Sequence, residues 1–442
     1  MTSQRPTPLL VGEIFVDVTI THRGQENKLR FGGVAHAARG FWALGQPFAA
    51  AVFLPNYLEK SARDYLTAFG CVKFTVLGYV TGAPNVTLIF DPTEVDDQGY
   101  ETLLRDEKTI GELTATSEDF LNIEDVLIFP GTYDLASVYK LIPPTSRLHI
   151  DVAYDIPDVS LLHELADGVS TIFISTSSHL FNQLGETFES ITAAFAKLNP
   201  SALVLKENRG GARLYTYSPV QSQEIPAQLA TTVNSVGVGD VFDAAYLTCL
   251  SDGPLGAVWR ASMAASAYAQ TTEPDLFKTY VQRDLRLTVS ELQELGGTSL
   301  PWDSRRTYQI YLAAPDFKNA DRAAIERAIS ALTYHNFSVR RPVVENGELP
   351  KDSDLITLAE TYRKDVDLLR ECHLVFAVPT ARDPGTLVEV GLAIASKIPV
   401  VVYDPNAECM NTMVIAGSSC YSHNLDTCLN ATFSCLSSLR HA

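Results

Sequence analysis

With 442 residues the chain is too long for one domain of ordinary size, so we expect two or three domains. Hydrophobic residues make up 46% of the sequence and charged residues 19%, which is typical of a soluble protein with packed cores. The formal net charge of −18 argues against nucleic-acid or membrane-surface partners, because no basic surplus is available to neutralise phosphates. It leaves room for a small anionic ligand, which needs only a local pocket of donors.

The seven cysteines contain no CxxC pair, so the sequence predicts neither a zinc ribbon nor a redox motif. Buried or free thiols in a reducing compartment are the expected state. The amino terminus lacks an apolar core after a basic start, and no uncharged apolar run reaches the roughly 18 residues of a membrane span. The prediction is a cytoplasmic protein.

Taken in chain order, the first elements alternate between strands and helices. The apolar stretch 9–20 predicts a strand, and the Gly-Gly pair at 32–33 opens a helix that ends at Gly45. A strand (49–54), a helix (near 58–69) and a strand (71–80) follow. Residues 85–110 alternate apolar and polar positions around an Asp/Gly turn, which predicts a hairpin outside the main sheet.

From residue 125 the rhythm is strand, helix, strand. Short apolar runs predict strands at 126–131, 147–152, 170–175, 202–207 and 212–217. Helices are predicted near 134–141, 159–166, 178–197, 241–250 and 256–270. Short apolar runs separated by amphipathic helices indicate an α/β fold with a mostly parallel sheet that has helices on both faces.

The pattern breaks near 285–306, where a polar, Gly-containing stretch ends in a Pro-Trp-Asp turn and reads as a linker. It then restarts, with strands predicted at 308–315, 337–343, 374–379 and 398–405 and helices at 320–334, 352–370 and 385–396. This restart predicts a smaller, doubly wound, flavodoxin-like α/β domain. The predicted boundaries are 1–290 for the first domain, 291–306 for the linker and 307–442 for the second domain.

The stretch NSVGVGDVFDAAY, residues 234–246, places two glycines before an acid that begins an apolar helix. Gly237, Val238 and Gly239 would let backbone N–H groups approach a phosphate closely, and the helix N-terminus adds positive potential. A carboxylate at Asp240 can accept a proton from a hydroxyl that attacks a γ-phosphate. Taken alone, the pattern also suits a helix start with an aspartate cap.

The context resembles the ribokinase/PfkB family of sugar and nucleoside kinases over about residues 8–290. Asp17 after the first strand, the motif FGGVAHAARGFWALG, the hairpin at 85–110 and VLKENRGGARLY stand in the family's order. The resemblance implies a ribokinase-like fold with a small β lid, and ATP and Mg²⁺ as cofactors. It implies Asp240 as catalytic base, 237–239 as anion hole, and four acceptor-binding residues: Asp17, Gly32, Gly33 and His36.

The sequence departs from the family at several positions. Asn234 replaces the first Asp of the family's loop, Val238 replaces an Ala, and His36 stands where an Asn is frequent. Around residues 170–181, Ser175 and Ser178 occupy the region of the family's Mg²⁺-organising Asn-x-x-Glu pair. No metal-ligating residue is therefore predicted. The metal is held through water and phosphate, the kinase is weak, or phosphoryl transfer has been lost.

A second motif, DPGTLVEVGLA, covers residues 383–393. Gly385 and Thr386 place donors at a helix N-terminus beyond the carboxyl end of a strand, where α/β sheets bind ligands. Glu389 lies in an otherwise apolar helix, where a carboxylate costs free energy unless it is paired or functional. A carboxylate next to an anomeric carbon can stabilise an oxocarbenium-like transition state or form a covalent glycosyl-enzyme.

The motif resembles the nucleoside 2-deoxyribosyltransferases and related deoxynucleotide N-hydrolases, over about residues 307–405. The resemblance implies that Glu389 is the nucleophile, that Tyr311 orients it, and that Asp383 and Asp365 contact the base or the sugar hydroxyls. Asp367 is an alternative to Asp365, since both lie on one predicted helix. The Gly-Thr-x-x-Glu element also occurs in phosphoribohydrolases, but their preceding Pro-Gly-Gly run is missing here. Family members often share a site between subunits, so a homo-oligomer is expected.

These features predict a bifunctional enzyme that acts on a small-molecule sugar, nucleoside or nucleotide. One domain phosphorylates a ribose-like sugar or a nucleoside, and the other cleaves or exchanges an N-glycosidic bond. Two alternatives concern the first domain: a non-catalytic ligand sensor that regulates the second domain, or a module that drives oligomerisation.

Overall fold

A computed structural model describes residues 6–20, 26–152, 156–317, 321–350 and 352–441. The chain divides into two compact units. The first unit consists of residues up to 93 together with 98–299, and the second consists of 94–97 together with 300–442.

The first unit is built around one large, mostly parallel sheet. Its strands are β1 (Leu9–Thr19), β2 (Lys28–Gly33), β3 (Phe48–Leu54), β4 (Cys71–Thr81), β5 (Val86–Ile89), β6 (Glu101–Leu103), β7 (Thr109–Ile110), β8 (Asp125–Ile128), β9 (Arg147–Asp151), β10 (Val169–Ser175), β11 (Ala202–Lys206), β12 (Ala212–Tyr217) and β13 (Val220–Ile225). The order along the sheet is β13-β12-β11-β10-β9-β8-β1-β3-β4-β7. Along this path, all neighbouring strands from β11 to β4 are parallel to each other. Strands β12 and β13 add an antiparallel edge.

The helices of this unit are α1 (Val34–Ala43), α2 (Glu59–Ala68), α3 (Leu135–Tyr139), α4 (His179–Gln183), α5 (Phe188–Phe195), α6 (Val238–Thr248), α7 (Gly253–Ala269), α8 (Pro274–Asp284) and α9 (Val289–Leu295). Helix α6 packs against both α1 and α7, and the three helices bury one face of the sheet through small and aromatic side chains. Every residue of β3, β8 and β11 is buried, so the opposite face is covered as well.

Strand β1 pairs with the main sheet over its first half and with the strands of the lid over its second half. This division determines where Asp17 lies. Residues 9–13 pair with β3 and 9–11 with β8, whereas residues 14–19 pair with β2 and 16–19 with β5. Strands β5 and β6 form an antiparallel pair, which is the predicted hairpin outside the main sheet, and residues 109–110 return to pair with β4. Asp17 therefore lies in the small β lid rather than in the main sheet.

Three local predictions before residue 306 differ from the structure, and the strand predicted at 337–343 is shorter because a helix begins at Pro342. The helix predicted at 178–197 is broken into α4 and α5, because Gly185 and Glu186 have φ values of 94° and 56°. The helix predicted at 159–166 is a 3₁₀ helix, Val159–Gly168. The segment 285–306 contains α9, which begins with a capping box between Thr288 and Glu291 and buries Leu292.

The second unit has strands β14 (Gln309–Ala313), β15 (Ser338–Arg340), β16 (Leu374–Ala377), β17 (Val400–Tyr403) and β18 (Cys420–Ser422). Its helices are α10 (Trp302–Arg305), α11 (Ala323–Tyr334), α12 (Pro342–Asn346), α13 (Leu355–Glu371), α14 (Pro384–Ala395), α15 (Thr412–Gly417) and α16 (Leu425–Arg440). The predicted start of the first helix, residue 320, lies outside the described residues. All pairs are parallel in the order β15-β14-β16-β17-β18, the doubly wound arrangement whose strand order reverses between β14 and β16.

The predicted fold class is confirmed for both units. All seven cysteines are free thiols. Among the described residues, no helix combines the length and apolar character needed to cross a bilayer.

Candidate functional sites

The loop before α6 has a backbone that other groups can approach closely. Gly237 caps the helix with a left-handed φ of 81°, and a Cβ there would overlap the ring of His36, so only glycine fits. Val238, Gly239 and Asp240 form the first turn, where backbone N–H groups have no partner within the helix. The arrangement suits an anion such as a terminal phosphate.

Asp240 is buried, and its Oδ1 has no hydrogen-bond partner among the described residues. Burial raises the pKa of this carboxyl to about 7, with a further upward contribution from Asp151. Lys206 and Arg30 act in the opposite direction. A carboxyl with a pKa near neutrality is suited to taking up and releasing a proton under physiological conditions.

A buried ion cluster lies beside this turn. The Nζ of Lys206 is 2.7 Å from Asp151 Oδ2 and 3.0 Å from Asp243 Oδ2. Burial acts to lower the pKa of Lys206, but the two carboxylates outweigh it and hold that pKa above its usual range. A Cβ at Gly239 would lie 3.2 Å from Nζ, so the cluster directly supports the loop.

We expect Lys206→Met to destabilise the first unit by about 3–5 kcal/mol, because it leaves two carboxylates buried without their cation. Urea unfolding followed by circular dichroism measures the change, and Lys197→Met, at an exposed lysine, is the matched control. Equal unfolding midpoints for the two variants would contradict the role assigned to the cluster.

The predicted acceptor residues contact each other. His36 Nε2 lies 2.8 Å from Asp17 Oδ2, and Asp17 covers Gly32 so closely that a Cβ there would overlap its carboxylate. His36 Nδ1 lies 2.9 Å from Arg39 Nη1, which can only donate, so Nδ1 accepts and Nε2–H donates to Asp17. Burial lowers the pKa of His36 to about 4, which keeps the ring neutral. Gly33 turns the chain into α1 with a φ of 59°.

Asn234 and Arg30 connect the loop to the lid. Arg30 Nη2 donates to Asn234 Oδ1 at 2.7 Å and to the Val236 carbonyl at 2.8 Å. The Asn234 side chain also accepts from the Val236 N–H at 2.8 Å. The amide thus acts here as an acceptor for the lid arginine.

The side chains fit a phosphate better than they fit a divalent cation. The N-terminus of α6 offers donors for phosphate oxygens, as described above. Ser178 instead caps α4 through Phe181 N–H, and Ser175 Oγ lies 2.8 Å from Ser177 Oγ. In the described part of the chain, no group of three or more His, Cys, Asp or Glu residues could hold a metal. We therefore derive no step through Mg²⁺.

In the second unit, Tyr311 and Glu389 meet near the point where the strand order reverses. The Tyr311 hydroxyl donates to Glu389 Oε1 at 2.6 Å, and the Tyr311 side chain is fully buried in β14. Burial raises the pKa of Glu389 to about 7, Asp365 and Asp383 add to this, and the hydrogen bond from Tyr311 lowers it. The carboxylate is therefore partly shielded and close to its protonation midpoint at neutral pH.

The turn that precedes α14 is strained. Ala381 and Arg382 adopt φ values of 56° and 53°, which non-glycine residues rarely do. Asp383 then caps the helix, accepting from Thr386 N–H at 2.7 Å and from Thr386 Oγ1 at 2.9 Å. Gly385 lies against the Asp383 carboxylate, where a Cβ would be 3.1 Å from Oδ2. The two hydrogen bonds from Thr386 hold the Asp383 carboxylate in a fixed position on the first turn of α14.

Of the two aspartates on α13, Asp365 is the one close to Glu389. Its charge raises the pKa of both Glu389 and Tyr311, and it accepts from Asn346 Nδ2 at 2.7 Å. Asp367 is exposed and lies 3.9 Å from Arg370. The structure thus brings together Tyr311, Asp365, Asp383 and Glu389, whose roles stay predictions.

Several buried polar residues at the first site were missed by sequence reasoning. They are Arg39, Asp151, Lys206, Asp243 and Tyr268. Two features of the sequence indicated such residues. Arg39 interrupts an apolar helix, and Lys206 ends a strand of otherwise apolar residues. A charge at such positions requires a partner, which the sequence does not identify.

Comparison with known proteins assigns the second unit. Residues 310–431 match the family described as nucleoside 2-deoxyribosyltransferase. The C-terminal unit is nucleoside 2-deoxyribosyltransferase-like. The match covers less than half of the chain, so it concerns this unit alone. No curated protein sequence matches the chain.

Solved structures that are similar to this chain align with 63–65% of it. Ribokinase from Arabidopsis thaliana, complexed with ribose and ATP, is 19% identical, covers 64% of this chain and 99% of its own, and has a TM-score of 0.47. A putative ribokinase II from E. coli, in complex with ATP and Mg²⁺, is 14% identical over 63% of this chain and 100% of its own, with a TM-score of 0.48. A Burkholderia thailandensis nucleoside kinase in complex with inosine is 15% identical over 65% and 95%, with a TM-score of 0.45. The strand order and the lid described above are what identify the first unit as ribokinase-like in fold.

Proposed function

We propose that the C-terminal unit cleaves or exchanges an N-glycosidic bond of a nucleoside or nucleotide, with Glu389 as nucleophile. The observation that carries this proposal is the 2.6 Å hydrogen bond from the buried Tyr311 hydroxyl, which fixes one carboxylate oxygen. The other oxygen, Oε2, attacks the anomeric carbon and forms a glycosyl ester, while the carbon–nitrogen bond breaks and its electron pair leaves with the base.

The leaving base must gain a proton, and the two aspartates near Glu389, Asp365 and Asp383, are the candidate donors. In the second step, water or a second base attacks the anomeric carbon and releases Glu389 as a carboxylate. Water gives hydrolysis and a base gives transfer. Both outcomes use the same glycosyl-enzyme.

The substrate class can be tested by following free base across a panel of nucleosides, 2′-deoxynucleosides and their monophosphates. The proposal predicts base release from at least one class by the wild-type protein. If the wild type and Glu389→Ala are equally inactive across the panel, this half of the proposed function fails.

The pH dependence follows from the carboxyl pKa. Glu389 attacks only as a carboxylate, so kcat/KM is expected to rise as pH increases through about 7 and then to level off. The Tyr311 hydrogen bond lowers the pKa of Glu389, so Tyr311→Phe should move this rise to higher pH and reduce the plateau. A pH profile of base release measures both effects. An unchanged midpoint in Tyr311→Phe would contradict the pairing.

We further propose that the N-terminal unit transfers a phosphoryl group from ATP to a ribose-like sugar or a nucleoside. ATP, when bound, supplies the γ-phosphoryl group. Asp240 takes the proton from the acceptor hydroxyl as that oxygen attacks the γ-phosphorus, the bond from this phosphorus to the bridging oxygen breaks, and ADP leaves. The turn at 237–239 holds the phosphate oxygens. The support is the buried carboxyl with a pKa of about 7 at the N-terminus of α6.

One observation favours a second candidate, in which this unit is a ligand sensor without phosphoryl transfer. The side chains of Asp17 and His36 form a hydrogen bond of 2.8 Å with each other, so the groups expected to bind acceptor hydroxyls are already paired. ATP consumption measured across pentoses and nucleosides separates the two candidates. Turnover that is lost in Asp240→Asn rules out the sensor, whereas no turnover with any acceptor rules out the kinase.

We also propose that the protein is a homo-oligomer and that one unit's product feeds the other. Apolar side chains at the start of α13 and in α15 are strongly exposed, with Leu355, Ile356 and Met413 at 83%, 73% and 78%. We expect light scattering to report more than one subunit, and Ile356→Glu to shift the protein toward the monomer. A monomeric wild type would contradict the proposed homo-oligomer.

A further inference from the structure

We propose that a cavity in the first unit binds a small molecule that joins a planar aromatic ring to an anionic group, and we identify nucleoside monophosphates as its ligand class. The cavity has a volume of about 450 Å³, within the usual range for small-molecule sites. The side chains that carry the inference are two cations and four rings: Arg30, Arg39, Phe31, Tyr65, Tyr268 and Phe277.

The main observation behind this proposal is the burial of the Arg39 guanidinium without a counter-ion. Arg39 is only 6% exposed, yet among the described residues no carboxylate lies within ion-pairing distance of its guanidinium. Its donors reach only neutral acceptors: the hydroxyls of Tyr65 and Tyr268 at 2.6 and 2.9 Å, the Phe31 carbonyl at 2.7 Å and His36 Nδ1 at 2.9 Å. A buried cation without a counter-ion is costly, and an anionic ligand in the cavity would supply the missing charge.

Arg30 provides a second, independent observation. Its Nε is buried and has no hydrogen-bond partner in the described part of the chain. That Nε lies 4.0 Å from Asp17, so one carboxylate is available to balance Arg30 and none remains for Arg39. The other acid at the cavity, Glu273, is exposed, where it can accept from a ring amino group or a sugar hydroxyl. The buried part of the cavity therefore carries a positive surplus.

The remaining walls suit a flat ring. Phe31 and Tyr65 lie with ring centroids 5.1 Å apart, and Tyr268 and Phe277 with centroids 4.9 Å apart. Aromatic walls favour an aromatic ligand because offset and edge-to-face contacts add to the burial of apolar area. The Tyr268 hydroxyl accepts from Arg39 and donates to His36 Nδ1, whereas the Tyr65 hydroxyl accepts from Arg39 and keeps its own proton for an anion oxygen.

This cavity differs from the sites proposed above. Its lining contains none of Asp17, Gly32, Gly33, His36 or Asp240. All of its lining residues belong to the first unit, whereas Glu389 belongs to the second. The inference concerns binding only, so it holds or fails independently of phosphoryl transfer and of base release.

Calorimetry on the full chain without ATP tests the inference, with adenosine 5′-monophosphate, cytidine 5′-monophosphate, adenosine, ribose 5-phosphate and inorganic phosphate as probes. We expect at least one monophosphate to bind more tightly than the nucleoside, ribose 5-phosphate or phosphate. Arg39→Gln should raise its Kd about 10- to 100-fold, the usual range for a lost hydrogen bond to a charged group. Arg283→Gln, at an exposed arginine of α8 outside the lining, should leave Kd unchanged.

Arg39→Gln also removes buried hydrogen bonds, so a second variant protects the test from loss of folding. Thr272 lines the cavity at an exposed position, and Thr272→Trp should block the cavity while leaving the buried network and base release intact. The inference is overturned if neither monophosphate binds, if adenosine binds at least as tightly as both monophosphates, or if Thr272→Trp binds the monophosphates like the wild type. Loss of binding in Thr272→Trp with base release retained supports the cavity as a site separate from Glu389.

Discussion

Replacing Glu389 by Gln should lower base release by about 10⁴-fold or more, the loss expected when a covalent nucleophile is removed. Glutamine keeps the size of the side chain and can still accept a hydrogen bond from Tyr311, so the fold and the position of the group are preserved. What disappears is the oxygen nucleophile that forms the glycosyl ester. The decrease should therefore appear in kcat, with a smaller change in KM.

Two controls sharpen this prediction. Glu360→Gln, at an exposed glutamate of α13, should release base at the wild-type rate. Adding formate or azide to Glu389→Ala should restore part of the activity, because a small anion can attack the anomeric carbon from the vacated space. A Glu389→Gln variant that keeps more than a tenth of wild-type activity would exclude Glu389 as nucleophile.

Asp240→Asn should reduce ATP consumption by about 10²- to 10⁴-fold, the usual contribution of a positioned general base. Asparagine has the same shape but cannot accept the proton of the acceptor hydroxyl. The measurement is acceptor-dependent ADP formation, with Asp64→Asn at an exposed position of α2 as control. Equal rates in Asp240→Asn and the control would show that Asp240 is not the base.

The same substitution should stabilise the protein at higher pH. The pKa of Asp240 is raised in the folded state to about 7, above its ordinary value near 4, so folding favours the protonated carboxyl. Stability is therefore lost as pH rises from about 4 through 7, and Asn removes this loss. Thermal unfolding should give a higher Tm for Asp240→Asn than for the wild type at pH 8 and similar values at pH 4. A stability gain combined with lost activity is the pattern expected of a functional residue.

Most of the fold was predictable because the elements are regular. Apolar runs such as Phe48–Leu54 and 202–205 became buried strands, and the restart after residue 306 became a second parallel sheet. Prediction was wrong where a local conformation overrode periodicity. The break between α4 and α5 depends on left-handed backbone at Gly185 and Glu186, and residues 289–295 form a helix although their composition reads as a linker.

In the candidate sites, only the residues that belong to sequence motifs were predictable. Asp240 and Glu389 are identified by neighbours in sequence, whose spacing is visible. Their partners come from distant positions: the family resemblance implied Tyr311 beside Glu389, whereas no motif indicated Lys206 near Asp240 or Tyr268 beside His36. Pairing of Asp17 with His36 was invisible for the same reason, since the lid register that joins β1 to β2 determines it.

The central claim is that Glu389 becomes covalently attached to the sugar during base release. A nucleoside carrying fluorine at C2′ slows the breakdown of such an intermediate, because it destabilises an oxocarbenium-like transition state. Intact-protein and peptide mass spectrometry of the protein incubated with this probe should reveal a sugar adduct on the peptide that contains Glu389, absent from Glu389→Gln. Base release without any adduct, or an adduct on another residue, would contradict the account.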